Sequence, residues 1–144
     1  MRKDTGGKGG TIINISSRLA LSLAEDPTLF VYAASKAAVL LFSNNLGTEN
    51  YYKYTGVRVI TVCFGLTDTR IIVDAKGIDD ISTNAIREYI RRLTAQPPLI
   101  AAEGVVEAYK RGNSGSTWLI ENSNITDITQ SVKRAYKIIS GRMV

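Results

Sequence analysis

The runs "TIINISS", "TGVRVITVCF" and "STWLIE" are apolar and β-branched, and helical stretches separate them. Thr11 to Ser16 reads as a buried strand bounded by glycines and serines. From Phe30 to Asn50 the pattern is helical, with Ala33, Ala34, Ala37, Ala38 and Leu41 as small or strong helix formers. The second strand is entered through a Thr55-Gly56 turn, and the third is "STWLIE". Between them lie a polar excursion, Leu66 to Pro98, with a helix near Thr83 to Leu93, and a short helix, Ala101 to Arg111, closed by Gly112. Pro97-Pro98 ends the excursion. Arg18 to Leu29 is a loop with Asp26-Pro27 as its turn signal. Strand, helix, strand, excursion, helix, strand is the order of an α/β domain, whose parallel strands need right-handed crossovers.

Composition narrows the chemistry. The 144 residues suffice for one domain, and 44% hydrophobic with 22% charged residues is ordinary for a soluble protein. No apolar stretch approaches the ~20 residues that span a bilayer. Met1 to Gly10 is polar and glycine-rich, unlike a secretory signal, so a cytoplasmic location is expected. One cysteine, Cys63, excludes an internal disulfide and a multi-cysteine metal site. There is no histidine, so acid–base work falls to Tyr, Lys, Asp or Glu, and no metal site is expected. "GGKGG" precedes a β-like run instead of opening a helix and lacks the Gly-Lys-Ser/Thr ending, which makes it a turn and not a phosphate loop. The net charge of +5 is weighted to the end, where Lys133, Arg134, Lys137 and Arg142 follow the last acidic residue, Asp127. A solvated or frayed C-terminus accounts for them better than a nucleic-acid surface.

Within "VYAASKAAV", Tyr32 and Lys36 stand at i and i+4, on one helix face. An ammonium beside a phenol favours the phenolate and draws the tyrosine pKa down from its reference near ~10. Seven tyrosines and eight lysines give about 0.4 such pairs by chance, so the spacing alone also fits an amphipathic tyrosine beside a snorkelling lysine. The surroundings tip the balance. The first strand ends in Ser16-Ser17, at the carboxyl end where open α/β sheets place ligands. A hydroxyl there can hold a carbonyl or alcohol oxygen while the tyrosine moves its proton. The second strand ends in "VCFGLTDT", where Gly65 permits close approach of a ligand and Thr69 offers a hydroxyl to an amide.

Taken in order, "GGTIINISS", "YAASK", "GVRVITVCFGLTDT" and "GSTWLIE" resemble the short-chain dehydrogenase/reductase family. The closest resemblance is to its hydroxyprostaglandin dehydrogenase-like and insect alcohol dehydrogenase-like branch, over Met1 to about Asn122. The resemblance implies the C-terminal part of a Rossmann-like doubly wound parallel sheet, its last three strands with flanking helices. Residues 1–122 would be a truncated dehydrogenase domain and 123–144 a C-terminal tail. Tyr32 would be the general acid/base, Lys36 would lower its pKa and bind the nicotinamide ribose, and Ser17 would orient the substrate oxygen. Gly65, Leu66 and Thr69 would hold the nicotinamide carboxamide. NAD is the implied cofactor, with the choice against NADP left open. A small-molecule secondary alcohol or ketone is the implied substrate, and the parent would be a homodimer with no membrane or nucleic-acid partner.

The chain departs from the family pattern in Ala20, where a glycine is usual, in two extra residues between Ser17 and Tyr32, and in Phe64 where a proline normally precedes Gly65. The family's N-terminal half, with its glycine-rich dinucleotide turn, cofactor selector and catalytic asparagine, has no counterpart here. Met1 is therefore expected to be internal to a longer parent, and the first strand to lack a neighbour. Such a fragment should fold marginally and bind dinucleotide very weakly. The alternative is a non-catalytic truncated paralogue acting as a protein-interaction module.

Overall fold

A computed structural model describes residues 1–23 and 27–142. Four strands form one sheet in the order β1 (Gly10–Ser17), β2 (Val57–Phe64), β3 (Ser116–Glu121), β4 (Asn124–Asp127). The first three are parallel and β4 runs antiparallel to β3, which gives the expected α/β architecture one strand more than the sequence announces.

Central position explains the composition of β2. Val59, Thr61 and Cys63 on one face and Ile60 and Val62 on the other are all at most 1% exposed. A strand covered on both faces has no reason to alternate. Ile60, Val62, Trp118 and Ile120 form the core with Ala108, and Ile13, Phe64 and Ile125 pack around it. Full burial of each large member contributes about 1.5–3 kcal/mol. β1 has only β2 as partner among the described residues and leaves Ile15 43% exposed, as expected of a strand without a second neighbour.

The predicted helix over Phe30–Asn50 is two helices, α1 (Phe30–Leu46) and α2 (Glu49–Thr55), because the chain turns at Gly47-Thr48. The excursion contains a single turn, α3 (Arg70–Val73), and α4 (Asp80–Arg91). α4 starts before the expected Thr83 because the Asp79 carboxylate accepts the Ser82 N–H at 2.7 Å. The Ser82 hydroxyl first, and this backbone bond second, hold the Asp79 carboxyl below its ordinary pKa. α5 (Pro98–Arg111) begins at the second proline, which suits a first helical turn, so Pro98 opens a helix as well as ending a segment. Gly104 is needed on its inner face: a Cβ there would lie 2.3 Å from Ile120 Cδ1.

The loop after β1 contains two 3₁₀ turns, Arg18–Ala20 and Pro27–Leu29; Asp26 of the expected turn signal lies outside the described residues. Residues 123–142 carry a strand and a helix. Asn122 and Ser123, both at positive φ, make a two-residue hairpin into β4. α6 (Thr129–Ile139) then docks through Val132 and a 3.0 Å bond from Thr117 N–H to Thr129 Oγ1. The basic residues Lys133, Arg134 and Lys137 sit on exposed positions of this helix, so they are solvated but not frayed. No helix among the described residues is long and apolar enough to cross a membrane.

Candidate active site

Strand register builds the site's floor. Ser17 pairs with Phe64, and Phe64 with Ile120, so three strand ends lie side by side at the carboxyl edge. The residues just beyond, Arg18, Gly65 and Glu121, form the next row. Gly65 N–H donates to Ile120 O at 2.9 Å, extending the β2–β3 ladder one step. Above it Arg18 Nε meets Glu121 Oε1 at 3.0 Å, a bridge from the end of β1 to the end of β3. The sequence assigns Gly65 to the approach of a ligand; the structure gives its missing side chain a nearer reason. A Cβ at Gly65 would lie 2.8 Å from Glu121 Cγ.

α1 is fastened to β1 by side chains from both elements. The buried Ser16 hydroxyl donates to the Lys36 carbonyl at 2.7 Å, and Lys36 Nζ donates to the Ile15 carbonyl at 3.2 Å. Further along, Asn14 Nδ2 donates to the buried Ser43 Oγ at 2.8 Å. These bonds fix both the rotation of α1 and its height over the strand. Lys36 Nζ stands 5.7 Å from the Tyr32 ring centroid, within cation–π range, so phenol and ammonium share one face. Tyr32 is 41% exposed and open to a ligand.

The two serines are in different environments. Ser16 is turned beneath α1 and committed to Lys36. Ser17 ends β1, and its Oγ accepts the Leu19 N–H at 3.2 Å, capping the 3₁₀ turn. That turn faces the N-terminal half of α1: Leu19, Ala20, Ala33, Ala34 and Ala37 line an apolar groove of about 210 Å³ between them. Alanine at position 20, in place of the expected glycine, contributes a methyl to this groove.

The Gly65–Thr69 segment satisfies its hydroxyls locally. Thr67 Oγ1 donates to Gly65 O at 3.1 Å and Thr69 Oγ1 to Thr67 O at 3.4 Å. Gly65, Leu66 and Thr69 thus follow β2 as one loop at the carboxyl edge, held to the β3 side and not to α1. Beyond it, Ile71, Val73, Ile78 and Ile81 are each at least 72% exposed, so they do not pack a loop helix against the sheet; α4 turns Ile86 inward for that.

Cys63 pairs with Ser16 in the sheet and is fully buried. Burial pushes its thiol up to about 11, against a smaller opposing pull from the Ser16 hydroxyl. It is a packing residue, without thiolate reactivity near neutral pH.

A family model described as short chain dehydrogenase matches residues 1–77, a stretch that contains Ser17, Tyr32, Lys36, Gly65, Leu66 and Thr69. The chain belongs to the short-chain dehydrogenase family. The chain is 34% identical over 134 residues to "Alcohol dehydrogenase 1" of Ceratitis cosyra, covering 92% of the chain and 51% of that protein. It is 35% identical over 134 residues to the protein of the same name from Ceratitis capitata, with the same coverage. It is 30% identical over 136 residues to "Alcohol dehydrogenase-related 31 kDa protein" of Drosophila subobscura, covering 90% of the chain and 45% of that protein. The chain spans about half the length of the curated relatives it matches.

Two features of the chain escape sequence reading. The Arg18–Glu121 bridge joins residues far apart in the chain, and neither has a spacing that signals the other. Gln96 is 2% exposed and bonded to both the Thr67 hydroxyl and the Ile120 carbonyl, yet "QPP" announces only a break.

Proposed function

We propose that this chain carries the proton-transfer and nicotinamide-side half of an NAD(P)-dependent oxidoreductase acting on secondary alcohols and ketones, and that it does not turn over substrate by itself. The observation that carries the reading is Lys36, bonded to the β1 backbone and standing over the Tyr32 ring. Tyr32 would give or take the proton at the substrate oxygen through its exposed hydroxyl. Lys36 would place a full positive charge where negative charge develops on that ring. Ser17, at the carboxyl end of β1, would orient the substrate oxygen. The names of the relatives, alcohol dehydrogenases, favour this substrate class.

The donor set suits the nicotinamide riboside portion of a dinucleotide. Lys36 Nζ has three donors, one of them used on Ile15 O, and the others would serve ribose hydroxyls. Gly65, Leu66 and Thr69 would contact the carboxamide from the neighbouring strand end. When bound, the nicotinamide accepts or supplies the hydride; the chain's own residues move the proton and hold the oxygen. The parent is proposed to be a cytoplasmic homodimer, with NAD as first choice over NADP.

Titration of the chain with nicotinamide mononucleotide, followed by amide chemical shifts, tests this. Shifts should cluster at Lys36 and Gly65–Thr69 and vanish in Lys36→Met. Turnover of a secondary alcohol by the 144-residue chain alone overturns its inactivity, and shifts confined to other surfaces overturn the assignment. A second reading, a non-catalytic module that adds a partner strand to β1, has that strand's single pairing in its favour. It predicts no response to the mononucleotide.

A further inference from the structure

We propose that Gln96 is a positioning residue that sets the height and angle of the Gly65–Thr69 loop over the carboxyl edge of the sheet. Gln96 lies between α4 and α5 with 2% of its surface exposed, and every hydrogen-bonding group of its side chain and backbone is engaged. Its N–H donates to Leu66 O at 2.8 Å and its carbonyl accepts the Asp68 N–H at 2.9 Å, a one-residue parallel bridge opposite Thr67. Its side chain reaches in the other direction. Nε2 donates to Thr67 Oγ1 at 3.1 Å and to Ile120 O at 2.9 Å, and Oε1 accepts the Ser123 N–H at 3.3 Å.

The consequence is a three-way joint. The loop after β2, the last residues of β3 and the β3–β4 hairpin all meet on one carboxamide. Ile120 O accepts from both Gly65 N–H and Gln96 Nε2, so the start of the loop and its clamp share an anchor. Ser123 sits at φ 62, and Gln96 Oε1 supplies the partner its turned N–H needs. Only a primary amide supplies donors and an acceptor at this reach. Asparagine is one methylene short, and a glutamate carboxylate would oppose the Ile120 carbonyl with a lone pair. Thr67, Asp68 and Leu66 would otherwise be free to pivot about Gly65.

The consequence for nicotinamide binding rests on the reading under "Proposed function", that this loop faces the carboxamide; the clamp itself does not. Hydrogen exchange of the 144-residue chain separates the two. In Gln96→Ala, exchange at the Asp68 and position-96 amides, which bridge the loop to this segment, should rise about tenfold, roughly what one lost buried hydrogen bond corresponds to. Amides of Ile60 to Val62 should change less than twofold. Thr67→Val keeps shape and removes two bonds, the one from Gln96 Nε2 and the one to Gly65 O, while the Gln96 bonds to Ile120 and Ser123 remain; it should give a smaller rise at the same amides even if Gln96→Ala fails to fold. Gln96→Glu should be loose at about pH 8 and recover protection, relative to the β2 amides, at about pH 5, where the neutral acid again has one donor and one acceptor. Equal acceleration of loop and β2 amides in all three variants, with no recovery at low pH, overturns the clamp. If the loop loosens while mononucleotide affinity stays at the wild-type value, the clamp stands and the loop's assignment to nicotinamide falls.

Discussion

Alkaline stability should be limited by a thiol that the site does not use. Cys63 is 0% exposed in the central strand, and its pKa is raised from 9.0 to about 11 by burial. An acid whose folded pKa lies above its unfolded value binds its proton more tightly in the folded state. Its contribution is therefore fully present below pH 9 and is lost as pH rises towards 11. Two pKa units correspond to about 3 kcal/mol, a large part of the stability of a small domain. Urea unfolding of the wild-type chain between about pH 8 and pH 11 should show that loss. Cys63→Ala removes the titration and should start less stable, by about 1–2 kcal/mol for a small cavity, yet fall less steeply, so the two curves converge. Tyr136, also raised by burial with Cys63 as a lesser cause, adds a loss of the same sign, and the difference between the two chains reports the thiol together with its effect on Tyr136. Parallel curves across the whole range would show that the thiol is hydrated in the folded state and the reasoning wrong. Consistently, a water-soluble disulfide reagent should label Cys63 no faster than the chain unfolds.

Gly65→Ala should cost about 1–3 kcal/mol, because its Cβ displaces Glu121 and breaks the bridge to Arg18; in the double variant with Glu121→Ala part of that cost should disappear, the Cβ and Cα of position 121 still crowding the new methyl, and a double-mutant cycle by urea unfolding measures the coupling. Ser43→Ala should cost about 1–3 kcal/mol, since it strips the partner from Asn14 Nδ2; Asn14→Leu together with Ser43→Ala should recover part of it, read from thermal melts.

The fold was legible where one physical signal decided the matter. β1, β2 and β3 stand within a residue or two of the expected runs because burial of their surfaces requires apolar, β-branched residues. The carboxyl-end placement of Ser17 and Gly65 followed from strand order alone. β4 was missed because Asn122-Ser123 replaces the Asn-Gly that usually announces a two-residue hairpin, and because four residues of an edge strand carry little pattern. The break between α1 and α2 was missed because Gly47-Thr48 is flanked on both sides by good helix formers. Long-range bonds such as Arg18–Glu121 and Gln96–Ile120 have no local signature: they follow from register, which a single chain does not display.

The two sides of the site are held by different means, and this bears on what the chain can do. Tyr32 and Lys36 ride on a helix bolted to β1 by three side-chain bonds, so their geometry depends on β1 staying in the sheet. β1 is one of the sheet's two edge strands, paired among the described residues with β2 alone. Gly65, Leu66 and Thr69 depend on β2, β3 and Gln96, which form the best buried part of the molecule. Local opening should therefore begin at β1 and carry Tyr32 and Lys36 away together, leaving the loop in place. A strand or partner that pairs with the free edge of β1 would raise the free energy of that opening and so preorganise the proton-transfer pair without touching it. Exchange protection at Ile13 and Ile15 is the quantity that such a partner must increase before Tyr32 is held in register with Ser17.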